Sequence, residues 1–325
     1  MKPIKIISNQ KKNHIKISYS PTDVCNYTCN YCFPGSNAGK YPYPKNLNLI
    51  VDNFSHLFDY YKHNGYETIE LQILGGEPTL WPELDEFIIR LKNKHNFIAS
   101  VQSNGSRTIR WWQEKAQVFN KVTLTAHHKE TNLAQFVTIA DTLFDTDVYV
   151  EVSVCMDSTD WDKCVNMVEY FKRVGRNKWY IGTQKLEGSI GTNYTQDQLD
   201  YLSHSTKRNP SLFYAFRMRK NFSINRSKVI FDNGSTQTVR HNQVQINDWN
   251  HFFNWQCHVG LEMFYINPNG KLTGSCGSNI YGLDDTFNIY DIDFKEKFNP
   301  ELKTTRCPYL GCYCTPETRM TKSIK

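Results

Sequence analysis

Cys25, Cys29 and Cys32 fall within eight residues, in the run Cys-Asn-Tyr-Thr-Cys-Asn-Tyr-Cys. Three thiols this close on one loop are a metal-binding pattern. Structural zinc takes four ligands, often as paired C-x2-C units. A trio alone suits a cubic iron–sulfur cluster in which one iron has no protein ligand. That open position would let a small molecule bind the metal directly. Zinc and unligated core thiols remain the alternative readings of the spacing alone.

The elements that must hold this loop are legible from residue 15 to 187. Short β-rich runs at residues 15–19, 69–74, 97–101, 122–125, 148–154 and 179–181 alternate with amphipathic segments. Ile50, Phe54, Leu57, Phe58 and Tyr61 share one helical face, as do Leu84, Phe87, Ile88 and Leu91. Leu133, Phe136, Val137 and Ala140 repeat the spacing, and so do Trp161, Cys164, Val165 and Val168. Trp112, Ala116 and Phe119 mark a less regular helix after the third strand. Strands alternating with helices imply a parallel sheet with right-handed crossovers, whose functional groups gather at the carboxyl ends of the strands.

The polar motifs fall at those ends. The first strand runs into the three-cysteine loop and the second into Gly75-Gly76-Glu77-Pro78. The third runs into Ser103-Asn104-Gly105 and the fourth into Thr125-Ala126-His127-His128. Taken singly, the two glycine-containing motifs could be turns. The adjacent histidines read as loop or pocket lining, with substrate contact or zinc ligation as lesser alternatives. Cys155 and Cys164 sit in strand and helix patterns and read as buried thiols.

Beyond about residue 190 the pattern changes. Phe264-Tyr265-Ile266, Asn267-Pro268-Asn269-Gly270 and Lys271-Leu272-Thr273 read as strand, turn, strand. Cys257 precedes this hairpin and Cys276 follows it, which places them together at its open end. Cys307, Cys312 and Cys314 complete the set of tail cysteines.

The C-x3-C-x2-C spacing, with Tyr31 just before the third cysteine, resembles the signature of the radical S-adenosylmethionine (SAM) superfamily. Gly75-Gly76-Glu77-Pro78 matches that family's second motif, in the right order and on the right strand end. The resemblance implies an α/β fold, a partial (β/α)6 TIM-like barrel over residues 15–190. It implies a 4Fe-4S cluster on Cys25, Cys29 and Cys32 whose open iron is chelated by SAM. Reductive cleavage of SAM would then give a 5′-deoxyadenosyl radical that abstracts a substrate hydrogen. In that setting Gly75 and Gly76 let backbone approach the methionine ammonium, Glu77 orders the loop ending in Pro78, and Tyr31 meets adenine. Ser103 and Asn104 would serve the ribose or carboxylate, and Thr125 takes the place where the family often has serine.

The tail, with Asn269-Gly270-Lys271-Leu272-Thr273-Gly274-Ser275-Cys276, resembles the SPASM or twitch extensions of such enzymes. That implies a small Cys-rich C-terminal domain at residues 246–325 with an auxiliary 4Fe-4S cluster, joined through a bridging region at 191–245. Residues 1–14 form an N-terminal arm. Five tail cysteines suffice for one fully ligated cluster: Cys257 and Cys276, completed by two of Cys307, Cys312 and Cys314. The Cys312-Tyr-Cys314 spacing departs from the usual C-x2-C, and zinc remains the alternative occupant.

Composition narrows the remaining choices. No run of about 18 apolar residues is present, so no membrane span is expected. The first residues lack the apolar core of a signal peptide, which makes the cytoplasm the expected compartment. Ten cysteines there argue for metal or redox chemistry over a disulfide framework. A net charge of +6, falling to about +3 once thiolates ligate two clusters, does not point to nucleic acid. An external electron donor such as flavodoxin or ferredoxin is implied by the resemblance. Many SPASM and twitch relatives modify peptides or protein side chains, which makes these the first substrate class. A nucleoside, DNA base or other small metabolite comes second. The rival from another class is a non-catalytic iron–sulfur or zinc protein for binding or electron transfer.

Overall fold

The computed structural model describes residues 1–10, 13–32, 35, 37–146, 148–175, 178–187, 191–204, 226–274, 277, 280, 287–312 and 317–324. After β1 (Pro3–Ser8) the chain enters six parallel strands in sequential order. They are β2 (His14–Tyr19), β3 (Thr68–Ile73), β4 (Ile98–Ser103), β5 (Lys121–Ala126), β6 (Tyr149–Met156) and β7 (Tyr180–Lys185). The crossovers carry α1 (Leu47–His63), α2 (Leu84–Lys94), α3 (Ile109–Lys115), α4 (Leu133–Phe144) and α5 (Trp161–Gly175). Asn46, Thr108 and Asn132 cap α1, α3 and α4 with side-chain oxygens that accept from backbone N–H groups. α3 tightens into a 3-10 turn at Ala116–Val118, which is why its apolar spacing is irregular.

Period-two alternation gives this sheet two unlike faces. Ile15, Ile17 and Tyr19, with Ile69, Leu71 and Ile73, are buried, and Tyr19 packs on Phe54 of α1 and Phe87 of α2. The alternate positions are polar: His14, Lys16 and Ser18 on β2, Glu70 and Gln72 on β3, Lys121, Thr123 and Thr125 on β5. Register sets Lys16 beside Glu70, and their side chains pair at 3.3 Å. One face therefore holds the helices while the other is free for polar chemistry.

The remaining elements are α6 (Gln196–His204), β8 (Arg226–Phe231), β9 (Thr236–Arg240), α7 (His241–Ile246), β10 (Gln256–Cys257), β11 (Met263–Ile266), β12 (Leu272–Thr273), α8 (Phe294–Lys297), β13 (Thr305–Arg306) and β14 (Lys322–Ser323). The expected hairpin forms as β11 and β12, with Ile266 opposite Leu272. It does not stand apart from the parallel sheet. β11 pairs in parallel with β2, Phe264 beside Ile17, and extends that sheet to eight strands. Met263, Phe264 and Ile266 are buried, and Phe264 stacks on Tyr61 of α1. An apolar run of this kind gains more from covering a helix-backed edge than from a small separate domain.

The second sheet is antiparallel, in the order β13-β10-β14-β1-β8-β9. It draws the first residues of the chain together with residues from 226 to 323, and Ile6 on β1 sits in its core with Val229, Phe231, Val239, Val244 and Phe252. β14 is the central joint, pairing with β1 on one side and β10 on the other. Cys257 lies on β10, opposite Lys322 and Thr305, rather than on the hairpin itself. Cys276 and Cys314 lie outside the described residues. Among the described residues no helix is long and apolar enough to cross a membrane.

Lys322→Pro tests the joint. It removes a strand N–H and should cost about 1–3 kcal/mol. Trp249 and Trp255 pack on this second core, so tryptophan fluorescence during urea unfolding reads the loss. An unchanged midpoint would show that β14 does not hold the two halves together.

Candidate active site

The end of β3 is fastened to the cysteine loop by backbone. Gly76 N–H donates to Thr22 O at 3.0 Å and Glu77 N–H to Val24 O at 2.8 Å. Only glycine permits this approach. A Cβ on Gly76 would lie 2.1 Å from Val24 O, and one on Gly75, at φ +132°, 2.3 Å from Ser20 Oγ. The far side of the loop is closed by Asp23, whose carboxylate accepts from the N–H groups of Lys40 (3.1 Å) and Tyr41 (2.7 Å).

Glu77 then ties three strand ends together. Its side chain is fully buried, and Oε1 accepts from Thr79 N–H (3.0 Å), the Thr79 hydroxyl and Ser103 Oγ (2.9 Å). Oε2 accepts from Asn104 N–H at 2.7 Å. Burial pushes this carboxyl up, and the hydrogen bonds oppose that shift. Pro78, just after it, starts a 3-10 turn through Leu80. Ser103 thus spends its hydroxyl on Glu77. Asn104 donates from Nδ2 to Asn26 Oδ1 (3.0 Å) and lies 3.9 Å from Cys25 Sγ. Thr125 is buried, with Gln102 Nε2 3.3 Å from its hydroxyl.

Cys25, Cys29 and Cys32 are all partly exposed on this loop, and no disulfide joins the described cysteines. Tyr27 N–H donates to Cys25 Sγ at 3.4 Å. Burial pushes the Cys25 thiol up and the Cys29 thiol up to about 12. Thiolates here therefore need a cation beside them, which an iron centre supplies. Sulfurs that influence one another's charge, N–H donors at Cys25 and partial exposure fit a cluster held by three cysteines. Cys257, Cys307 and Cys312 are buried, Cys257 in the main core and the other two in the second core.

Several contacts at the loop lie beyond motif reading. Thr28 donates from N and Oγ1 to Glu130 Oε1, at 3.2 and 2.9 Å. Tyr31 is buried, with its hydroxyl 3.0 Å from His127 Nδ1 and its ring stacked near both His127 and His128. Burial lowers His127 to about 4, so it is neutral at ordinary pH. Cys155, on the polar face of β6, packs with Tyr31, Leu186 and Cys29, whereas Cys164 is buried in the main core. Strand alternation gives the face of Cys155, but its neighbour across the sheet needs the fold. His128 Nε2 lies 3.1 Å from Asp160 Oδ2 and 3.8 Å from Asp157 Oδ2. Lys129 and Lys163 also pair with Asp160, at 2.8 and 2.6 Å. Both ammonium groups reach Asp160 and neither pairs with Asp157, whose Oδ2 is buried without a hydrogen bond.

The family model described as the Radical SAM superfamily matches residues 19–175. Over 93 residues the chain is 36% identical to the S-adenosylmethionine-dependent nucleotide dehydratase of Thermoplasmatales archaeon (strain ISO4-H5), covering 29% of this chain and 30% of that protein. Over 114 residues it is 32% identical to the GTP 3′,8-cyclase of Actinobacillus pleuropneumoniae serotype 7 (strain AP76), covering 34% and 32%. The chain thus matches under a third of the length of these relatives. Native anSMEcpe with bound AdoMet is similar in structure, with TM-score 0.54 and 17% identity over 88% of this chain and 81% of that one. Streptococcus suis SuiB bound to S-adenosylmethionine has TM-score 0.50 and 14% identity, over 90% and 64%. At these identities the likeness concerns the fold, a mostly parallel α/β sheet with an added antiparallel sheet. The stretch matched by the family model, just under half of the chain, is the one that builds the glycine seam and the three-thiol loop, and over it the chain is similar to the radical SAM superfamily.

Proposed function

We propose that this protein is a radical SAM enzyme, which uses Cys25, Cys29 and Cys32 to hold a 4Fe-4S cluster and binds SAM along the carboxyl ends of β2 to β5. When bound, the cluster and SAM supply one-electron cleavage of the sulfonium to a 5′-deoxyadenosyl radical able to take a hydrogen atom. The observation that carries this reading is the glycine seam, which fixes the cysteine loop against the Gly-Gly-Glu-Pro strand end. Gly75 and Gly76 offer backbone to the methionine end of SAM, and Glu77 and Pro78 keep that backbone in place. Tyr31, held by His127, offers adenine a ring that is already fixed. Ser103, Asn104 and Thr125 form the polar wall for ribose or carboxylate. Ser103 acts there through Glu77, since its hydroxyl is engaged.

A second cluster in the tail is part of the same proposal. Cys257 and Cys276, with two of Cys307, Cys312 and Cys314, would ligate it. The fold likeness to anSMEcpe and SuiB at 88–90% of this chain reaches past residue 175 and supports a tail of related build. The substrate reading is a peptide or protein side chain, from the tail's resemblance to SPASM and twitch extensions. A nucleotide is the second reading, because the names of the dehydratase and the cyclase contain one. Electrons would come from a flavodoxin- or ferredoxin-class donor, in a reducing cytoplasm.

Replacing Cys25, Cys29 and Cys32 together with Ala should bring 5′-deoxyadenosine formation to background under anaerobic reduction with SAM. It should also lower iron by about four per chain. Nucleoside formation that persists in a folded triple variant would sink the proposal. In the same triple variant the tail should keep about four iron atoms after reconstitution. Zinc without iron there would end the second-cluster reading.

A further inference from the structure

On the side away from the cysteine loop, the amino ends of β2 and β3 meet the start of β8 and the turn before β14. They line a small cleft that opens to solvent, with a cavity volume of about 30 Å3. Five charged or titratable side chains line it: His14, Lys16, Glu70, Arg226 and Arg319. They come from stretches far apart in sequence, and hydrogen bonds fix the backbone around them. Arg226 N–H donates to Asn9 Oδ1 (3.3 Å), Ser227 Oγ to Arg319 O (3.1 Å) and Gln10 Nε2 to His14 O (2.7 Å).

The charges of this cleft do not balance. Glu70 is its one carboxylate, paired with Lys16 at 3.3 Å and with His14 Nε2 3.6 Å away. The nearby Lys121 has its own partner, Glu151, at 2.6 Å. Among the described residues neither Arg226 nor Arg319 has a carboxylate within ion-pair distance. Among the side chains that line the cleft, Lys16, Arg226 and Arg319 face the single carboxylate of Glu70, an excess of two positive charges. His14 Nε2 is buried and makes no hydrogen bond. The cost of enclosing charge falls on Lys16 and Arg319, since Arg226 is exposed at the mouth. Burial lowers Arg319 to about 10, and Glu70 and Glu151 act against that shift.

The geometry points to an oxyanion site, in which Arg226 and Arg319 grip a phosphate-class dianion with Lys16 and His14 behind it. Guanidinium forks suit tetrahedral oxyanions, and a dianion cancels the excess. The site joins β2 and β3 of the parallel sheet to β8 and the β14 turn of the antiparallel one. Its occupant therefore holds the seam between the sheets and needs no part in the chemistry at the cysteine loop.

The test is calorimetric titration of the full reconstituted protein with inorganic phosphate, in Hepes at constant ionic strength. Sodium sulfate and adenosine 5′-monophosphate form separate arms. One saturable phosphate site is expected, with the melting temperature rising by about 5 °C at a hundredfold excess over Kd. Arg226 is exposed, so Arg226→Gln should fold normally and bind phosphate about tenfold more weakly. Glu70→Gln removes the opposing carboxylate and should bind about tenfold more tightly. Tighter binding of the nucleotide than of phosphate would make the natural ligand a phosphoryl group, and equal or weaker binding a free oxyanion. Both keep the site. No saturable heat, with equal melting in phosphate and chloride, would overturn it. So would wild-type phosphate affinity in Arg226→Gln.

Discussion

Two backbone hydrogen bonds, from Gly76 to Thr22 and from Glu77 to Val24, decide where the cysteine loop lies. They place two strand ends closer than any residue with a Cβ would allow at position 76. Everything at the carboxyl side of the sheet depends on that approach. Glu77 can be buried only because the strand end delivers it beside the N–H of Asn104 and the hydroxyls of Ser103 and Thr79. A buried carboxylate with so many donors is stable where it is and costly to move. The glycines and the glutamate thus act as one unit, which fixes loop, second strand and third strand together.

The same sheet solves a second problem through its two faces. Apolar positions on β2 to β6 take the helices, and the alternate positions stay polar. Along that polar face the chemistry changes with height. Near the amino ends sit paired charges, Lys16 with Glu70 and Lys121 with Glu151. Nearer the carboxyl ends come Gln102, Thr125 and Cys155, and then the loops with thiols and histidines. A parallel sheet thereby separates an electrostatic floor from a reactive mouth.

Much of this was legible in the residues. The six strands lie within a few residues of their expected ends, because β-rich runs and amphipathic helices alternate with clear periods. The cysteine spacing and Gly75-Gly76-Glu77-Pro78 carry their own signal, since glycine and thiol placement is local. The hairpin was legible too, through its turn residues, but its pairing with β2 was not. Parallel pairing between Phe264 and Ile17 leaves no mark in either segment alone. Two-residue strands such as β10, β13 and β14 are shorter than any periodicity, so the antiparallel sheet and the place of Cys257 in it were hidden. Arg319 belongs to the same class. Its place in the same cleft as Glu70 comes from a short turn at the far end of the chain.

Low-temperature EPR of the reduced, reconstituted Gly76→Ala variant, with and without SAM, tests the role of the seam most directly. Wild-type protein should show a reduced-cluster signal that changes when SAM is added. The added methyl group must push Val24 away, so the variant should lose that response while its far-UV circular dichroism stays as in wild type. A wild-type response to SAM in Gly76→Ala would show that the seam does not set the cysteine loop.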